Sequence, residues 1–333
     1  MSWARYIRFR DEDGIERQGE PEIDLADDLL QLLEKDSLFA YELIGENPFQ
    51  AKKSGNSFRV KELLGPLDPE DVPIIRCVGL NYATHIQELG RSPPPYPSIF
   101  VKPSHAVTGW NSGIPIPRIA QNAGLFNPCY LELTKNTKDQ MDYEGELAIV
   151  IGKDGKDIKV DDALSYVAGY TVCNDVSARA WQRDPHYAGT VPQWCFGKGF
   201  DGFAPLGPMI VSTKVSIYLQ HGMGDIDFSF CSDSSNIVCI TKVLGAAYNL
   251  SLQTKVNGTV RQEANTDDLV FGVRQIVAFV SQGTTVEKGS IILTGTPGGV
   301  ILGSKNPVWL THDDLVEVSI SGIGSIRNRM NFI

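Results

Sequence analysis

The segment at residues 141–152, MDYEGELAIVIG, most constrains the fold, because acidic residues at every second position lead directly into an apolar run. A short apolar run of this kind predicts a buried strand. Strand side chains alternate between faces, so Asp142, Glu144 and Glu146 would share one side of the sheet at roughly 7 Å intervals. At that distance two like charges repel by about 2 kcal/mol at an intermediate dielectric. A divalent cation would turn this repulsion into binding, whereas a solvated strand edge is the alternative.

Composition limits the classes of partner. The chain has 333 residues, of which 42% are hydrophobic and 21% charged, as in ordinary soluble proteins. A net charge of −10 without a basic cluster argues against nucleic acid. No apolar run reaches the length of a membrane span, and no signal or transit peptide is evident. Six cysteines without a Cys-x-x-Cys pair indicate a reducing compartment, so we expect a cytoplasmic protein, with an organelle as the alternative.

The chain divides at a proline-punctuated connector, residues 67–73. We expect residues 1–70 to form a small N-terminal domain that includes a helix near 25–33. Residues 71–333 contain short β runs broken by Gly and Pro, together with a convincing helix over 266–280. The fold class predicted from this pattern is α+β, mainly β, with the larger domain carrying the chemistry.

His85 and Glu88 are three positions apart on a predicted short helix that ends at Gly90. Residues at that spacing face the same way. A carboxylate beside an imidazole can fix its tautomer and raise its basicity, which makes a water molecule nucleophilic near neutral pH. An ordinary surface contact is the alternative.

A third carboxylate, Asp175, closes a predicted buried strand just before a short helical turn that bears Arg179 and Gln182. Asp175 is a candidate third oxygen ligand. Arg179 and Gln182 are candidates for binding a substrate carboxylate, which a guanidinium matches in bidentate fashion. The alternative is an Asp cap with solvated neighbours.

Two glycine-rich segments follow buried or closely packed parts of the chain. Residues 197–202 fit Gly-x-Gly-x-x-Gly, but Pro205 and Pro208 rule out the helix that a dinucleotide site needs. Lys198 in this segment can instead approach a ligand closely. Residues 294–300 offer backbone N–H groups and the Thr296 hydroxyl as a carboxylate cradle, with a plain Gly-Pro turn as the alternative.

Six segments of the chain resemble, in the same order, the motif series of the fumarylacetoacetate hydrolase (FAH) family. They are residues 79–88, 142–151, 174–182, 197–208, 256–258 and 294–300. The resemblance covers about residues 74–330. It implies an FAH-type mixed β-sandwich or roll, a homodimer, and Mg²⁺ or Mn²⁺, with Ca²⁺ as a further candidate. The implied metal ligands are Glu144, Glu146 and Asp175, since Asp142 is usually not a ligand in the family. The other implied site residues are a His85–Glu88 dyad, a catalytic Lys198, and substrate contacts at Arg179, Gln182 and Thr296.

The sequence departs from the family pattern at two insertions, at about 122–138 and 215–242. Both carry apolar residues and cysteines without clear periodicity, which is unusual for solvated loops. They are either translated introns of an imperfect gene model or genuine surface elaboration. Sequencing the transcript would decide between these hypotheses.

The resemblance implies hydrolysis of a C–C bond in an acylpyruvate or fumarylacetoacetate-like 1,3-diketo acid. Decarboxylation of oxaloacetate and tautomerisation of a 2-oxo acid pass through the same enolate, so both remain alternatives. A catalytically inactive metal-binding member of the family is the rival from another class. The predicted partner is therefore a small 2-oxo or diketo acid.

Overall fold

The computed structural model describes residues 1–24, 28–88, 90–121, 139–219 and 240–333, with the backbone alone at 216–219 and 240–243. This part is mostly β with mixed sheets, as the sequence predicts. Its helices are α1 (Leu29–Glu34), α2 (Ala83–Glu88), α3 (Arg179–Arg183), α4 (Pro185–Ala188), α5 (Trp194–Lys198) and α6 (Val273–Val280). None of these described helices has the length and apolar character needed to cross a bilayer.

The strands, in chain order, are β1 (Arg5–Arg10), β2 (Glu16–Pro21), β3 (Phe39–Ile44), β4 (Lys52–Arg59), β5 (Glu62–Leu64), β6 (Ile75–Gly79), β7 (Ser98–Lys102), β8 (Val107–Thr108), β9 (Ile114–Ile116), β10 (Met141–Asp142), β11 (Gly145–Ile151), β12 (Gly155–Lys156), β13 (Val167–Asn174), β14 (Ser177–Ala178), β15 (Ala204–Ser212), β16 (Ser216–Leu219), β17 (Ile240–Val243), β18 (Ser251–Val256), β19 (Thr259–Asn265), β20 (Thr285–Val286), β21 (Ile291–Leu293), β22 (Leu315–Ile320) and β23 (Gly324–Phe332).

A twelve-stranded sheet runs in the order β4-β3-β2-β1-β15-β13-β11-β21-β6-β7, with β5 beside β1 and β8 beside β15. A five-stranded sheet has the order β19-β18-β22-β23-β9. Most neighbours are antiparallel, while β21–β6, β15–β8 and β23–β9 are parallel. The N-terminal strands continue the large sheet through β1 and β15. The domain boundary at 67–73 stays a prediction.

The core lies on both faces of β11, whose seven residues are all buried. Leu147, Ile149 and Ile151 pack into one apolar cluster, while Ala148 and Val150 pack into a second. This division follows from the alternation of strand side chains. Glu146 lies in the row of Ala148 and Val150, so the fold directs its carboxylate into a protein interior.

Three expectations about local structure need correction or restriction. The helix expected over 266–280 is a 3₁₀ turn at Thr266–Asp268 followed by α6. Asp142 does not share one continuous strand with Glu146, because it belongs to β10, which pairs with β14. The helix expected near 25–33 is described only as α1, since residues 25–27 lie outside the described part.

The two expected insertions lie largely outside the described residues. At the margins of the second one, the β16 and β17 backbones form an antiparallel pair. The origin of both insertions stays a prediction.

Candidate active site

Glu144, Glu146 and Asp175 converge, with one oxygen of each carboxylate within 4.8 Å of the others. The register of β11 and β13 explains this convergence, because Gly145 pairs with Asn174. That pairing places the residues just outside it side by side, and the Asp175 N–H donates to the Glu144 carbonyl at 2.8 Å. The carboxylates predicted as metal ligands therefore share one buried corner of the sheet.

Lys198 lies against two of these carboxylates. Its Nζ donates to Glu144 Oε2 at 2.8 Å and to Asp175 Oδ2 at 2.6 Å, and the Ser177 hydroxyl accepts a third bond at 2.7 Å. Helix α5 brings the lysine here by packing closely on α3. A Cβ on Gly197 would lie 2.7 Å from the Gln182 backbone nitrogen, so this position requires a glycine.

Lys102 is a site residue that the sequence interpretation missed. Its side chain is fully buried, and its Nζ donates to Asp175 Oδ1 at 2.5 Å and to the Phe203 carbonyl. Phe100 and Lys102 are two apart on β7, and both are buried. Strand residues two apart share a face, so Lys102 lies on the same face as the buried Phe100. This spacing is the sequence pattern from which a buried lysine could have been predicted.

Arg179 and Asp142 form the adjacent part of the network. The Arg179 guanidinium donates to Asp142 Oδ2 at 2.9 Å, to Glu144 Oε1 at 2.5 Å and to Gln182 Oε1 at 2.9 Å. Asp142 also accepts from the backbone nitrogens of Ile301 and Leu302, at 2.9 and 3.0 Å. Arg179 therefore holds three site side chains in place, and Asp142 connects this network to the loop at residues 300–303.

Glu144 and Glu146 have opposite electrostatic environments. Burial raises the pKa of Glu144, but Arg179 and Lys198 outweigh that effect and lower it to about 2. Burial, together with the charges of Asp175 and Glu144, raises the pKa of Glu146 well above its usual value. Glu146 accepts from the Gly295 N–H at 2.6 Å and forms no ion pair with any described residue. It is thus the ligand candidate whose charge lacks compensation.

His85 and Glu88 lie on α2, as predicted, with His85 Nδ1 3.6 Å from Glu88 Oε2. That distance exceeds a hydrogen bond. His85 is 7% exposed, and within the described structure its Nδ1 has no hydrogen-bond partner. Glu88 is largely exposed. The pair is adjacent but not engaged, so the imidazole has a free nitrogen.

Two cavities meet at His85. The first cavity, about 490 Å³, contains the predicted site residues Glu144, Arg179, Gln182, Lys198 and Thr296 in its wall. The Thr296 hydroxyl is oriented by the Gly145 carbonyl, to which it donates at 3.0 Å, and by the Gln262 amide, from which it accepts at 2.7 Å. The second cavity, about 460 Å³, contains Glu88 in its wall and shares His85, Val300 and Gly303 with the first.

The donor set fits a hard divalent cation. Four carboxylates, those of Asp142, Glu144, Glu146 and Asp175, face the three cations Lys102, Arg179 and Lys198, which leaves one formal negative charge in a buried cluster. Carboxylate oxygens are the ligands that such cations prefer. The arrangement can hold a dication beside a cavity that a histidine borders.

This chain is similar to known proteins over most of its length. A family model described as fumarylacetoacetate (FAA) hydrolase, C-terminal, matches residues 74–331. A caffeoylpyruvate hydrolase from Neonothopanus nambi is 34% identical over 98% of this chain and 93% of its own length. A mitochondrial oxaloacetate tautomerase from Rattus norvegicus is 37% identical over 80% of this chain and 68% of its own. A crystal structure of a 5-carboxymethyl-2-hydroxymuconate delta-isomerase from Mycobacterium smegmatis aligns with a TM-score of 0.69 at 30% identity, covering 99% of this chain and 100% of that one.

Proposed function

Because this chain belongs to the fumarylacetoacetate hydrolase family, we propose that it is a divalent-metal-dependent hydrolase of a C–C bond in an acylpyruvate or fumarylacetoacetate-like 1,3-diketo acid. One observation carries the proposal. The carboxylates of Glu144, Glu146 and Asp175 converge, and Glu144 lies in the wall of a cavity that His85 also borders. The His85 Nδ1 has no hydrogen-bond partner in the described structure. A cation site and a base on one cavity are what hydrolysis beside a carbonyl requires.

The proposed cofactor is Mg²⁺ or Mn²⁺, held by Glu144, Glu146 and Asp175, with Ca²⁺ as a further candidate. A dication bound there would act as a Lewis acid for the enolate charge that develops as the C–C bond breaks. The one formal negative charge of the cluster becomes a single positive charge with the dication. A positive charge at this place suits an anionic 2-oxo acid.

The residues around the cavity have distinct roles in the proposed reaction. Gln182 and Thr296 orient the 2-oxo acid end, together with Arg179. His85 removes a proton from water, and the hydroxide attacks the carbonyl carbon of the acyl group. Glu88 stabilises the resulting imidazolium once it closes the 3.6 Å gap to His85. Lys198 stabilises the departing enolate, which takes up a proton to give pyruvate beside the released carboxylic acid.

Tautomerisation or decarboxylation of oxaloacetate is the second candidate function. The identity to an oxaloacetate tautomerase favours it, and neither reaction needs water attack at a keto carbon. All these reactions share the enolate, so the carboxylate cluster and Lys198 serve each of them.

Turnover of acetylpyruvate and oxaloacetate, with and without Mg²⁺, distinguishes these functions. We expect Mg²⁺-dependent release of pyruvate and acetate from acetylpyruvate. Pyruvate from oxaloacetate alone would replace the hydrolase proposal with a decarboxylase, and enol–keto exchange alone would indicate a tautomerase. Binding of Mn²⁺ without any turnover would identify the inactive family member.

A homodimer in the cytoplasm completes the proposal, and neither part of it affects the chemistry. The oligomeric state is measured by light scattering on the purified chain, where a mass near twice 36.5 kDa is expected.

A further inference from the structure

The second cavity has no role in the mechanism above, although it shares a wall with the reacting centre. In a 1,3-diketo acid the carbon attacked by water lies between the 2-oxo acid end and the acyl substituent. The 2-oxo acid end belongs at Arg179, Gln182 and Thr296 in the first cavity, and the attacked carbon belongs at His85. The acyl substituent must then extend past His85, and the second cavity begins there.

The loop at residues 300–303 borders both cavities. Val300 and Gly303 belong to both walls. Asp142 holds the loop by accepting from the Ile301 and Leu302 nitrogens, and the same carboxylate binds Arg179. The loop is therefore fixed relative to Arg179, so the distance that a substrate must span between Arg179 and the second cavity is fixed as well.

The lining of the second cavity combines aromatic and aliphatic side chains with polar ones, which include Asn257, Arg261 and Asn306. Tyr143 and Trp309 supply aromatic rings, and Val256, Val260 and Val308 supply aliphatic contacts. Val308 is 80% exposed and Val260 is 44% exposed, so both keep apolar surface in contact with water at this cavity. Covering such surface with an aromatic ring is favourable because apolar area is removed from water.

We propose that the second cavity is the acyl subsite and that it selects aromatic acylpyruvates over short aliphatic ones. This inference rests on the proposed hydrolase function and specifies its substrate class. The reaction is unchanged: water adds to the acyl carbonyl, the bond between that carbon and the pyruvyl methylene breaks, and the arenecarboxylate and pyruvate leave.

The test compares benzoylpyruvate with acetylpyruvate, which share their reacting atoms and charge. We expect the wild type to favour benzoylpyruvate in kcat/KM by at least about tenfold. Val308→Asp places a charge at the rim of the subsite. Gly303→Leu adds a side chain at the wall that both cavities share, where a Cβ would meet only Val300 Cγ2 at 4.0 Å. Each should lower the ratio of the two kcat/KM values at least about fivefold. Val160→Asp, an exposed valine outside both cavities, is the matched control and should keep the wild-type ratio.

A ratio that is the same in all four proteins would overturn the acyl subsite while leaving the hydrolase proposal intact. If neither acylpyruvate is hydrolysed, the hydrolase proposal fails, and the subsite is tested by binding alone. Calorimetry with Mn²⁺ then compares 4-phenyl-2-oxobutanoate with 2-oxopentanoate, which lack the cleavable 4-oxo group. Tighter binding of the phenyl compound that Val308→Asp removes and Val160→Asp keeps would support the subsite, and equal binding of both compounds would reject it.

Discussion

Lys102 compensates the buried charge of Asp175 on the side opposite Lys198. Lys102→Met would leave Asp175 Oδ1 and the Phe203 carbonyl without this donor. We expect a loss of about 3–5 kcal/mol in the free energy of unfolding. We also expect Mn²⁺ affinity to fall about 10–100-fold, because a residue that orients a metal ligand is removed. Urea unfolding and calorimetry measure the two effects.

The matched control for this prediction is Lys35→Met. Lys35 is exposed and donates only to the Gln31 side chain among its described side-chain contacts. If Lys102→Met were less stable but bound Mn²⁺ with wild-type affinity, Lys102 would support the fold and not the orientation of Asp175.

Glu146 determines how metal binding depends on pH. Its raised pKa means that, from the usual value near 4.5 upward to the raised value, the metal-free folded protein holds a proton that the unfolded chain has lost. The stability of the metal-free protein therefore falls as pH rises through that window. A dication removes this cost, so we expect Mn²⁺ to stabilise the protein more as pH rises and to release a proton on binding.

Calorimetry in buffers with different ionisation enthalpies measures the released proton. Glu146→Gln should bind Mn²⁺ more weakly and release no proton, whereas Glu34→Gln, at an exposed side chain, should behave as the wild type. Glu144 gives no second proton, since its pKa of about 2 keeps it ionised near neutral pH. Proton release that persists in Glu146→Gln would show that another group titrates.

His85 separates hydrolysis from the other enolate reactions. His85→Ala removes the base that activates water, so we expect acylpyruvate hydrolysis to fall about 10²–10⁴-fold. Tautomerisation and decarboxylation should persist in part, because Lys198 and the carboxylates remain. Substrate-panel kinetics on His85→Ala, with the exposed His105→Ala as control, measure this difference. An equal loss of all three activities would contradict the role assigned to His85.

At the scale of elements, the sequence predicts a strand that is buried along its whole length, but it does not predict where a helix begins when distant contacts decide its first residue. The apolar run before Gly152 predicts a strand, and β11 spans Gly145–Ile151. The helix expected over 266–280 starts only at Val273 because the nitrogens of Val270 and Phe271 donate to the carbonyl and side chain of Asn81. Asn81 lies 190 positions from Phe271, so no local pattern contains this competition.

The same limit applies to the turn after β21, where Gly299 has φ +96 and a Cβ would lie 2.0 Å from the Arg261 carbonyl. Gly299→Ala should therefore combine backbone strain with a clash against the β18–β19 hairpin. Gly14→Ala is the matched control, since it has φ +75 and nothing within 4 Å. We expect Gly299→Ala to cost about 1–3 kcal/mol more than the control, measured by urea unfolding. Equal costs would mean that the hairpin moves away freely.

At the scale of the whole molecule, the site depends on strand pairing that motifs do not specify. The motifs identify Glu144, Glu146 and Asp175, but the β11–β13 register brings them together. Lys102 arrives from β7, which reaches β11 through β6 and β21. Sequence reasoning could select ligands from residue type and order, whereas the cation that compensates Asp175 depends on the order of the strands.

Strand pairing also bears on the predicted N-terminal domain, residues 1–70. Tyr6 pairs with Ile210 in the large sheet, and both belong to the same apolar cluster. Removing residues 1–70 would expose this edge of β15 and part of that cluster to water. We therefore expect the chain 71–333 to lose cooperative urea unfolding and Mn²⁺ binding, whereas removal of the exposed residues Met1 and Ser2 should preserve both. Native-like unfolding and metal binding by 71–333 would instead show that residues 71–333 are stable without the strands that residues 1–70 add to the large sheet.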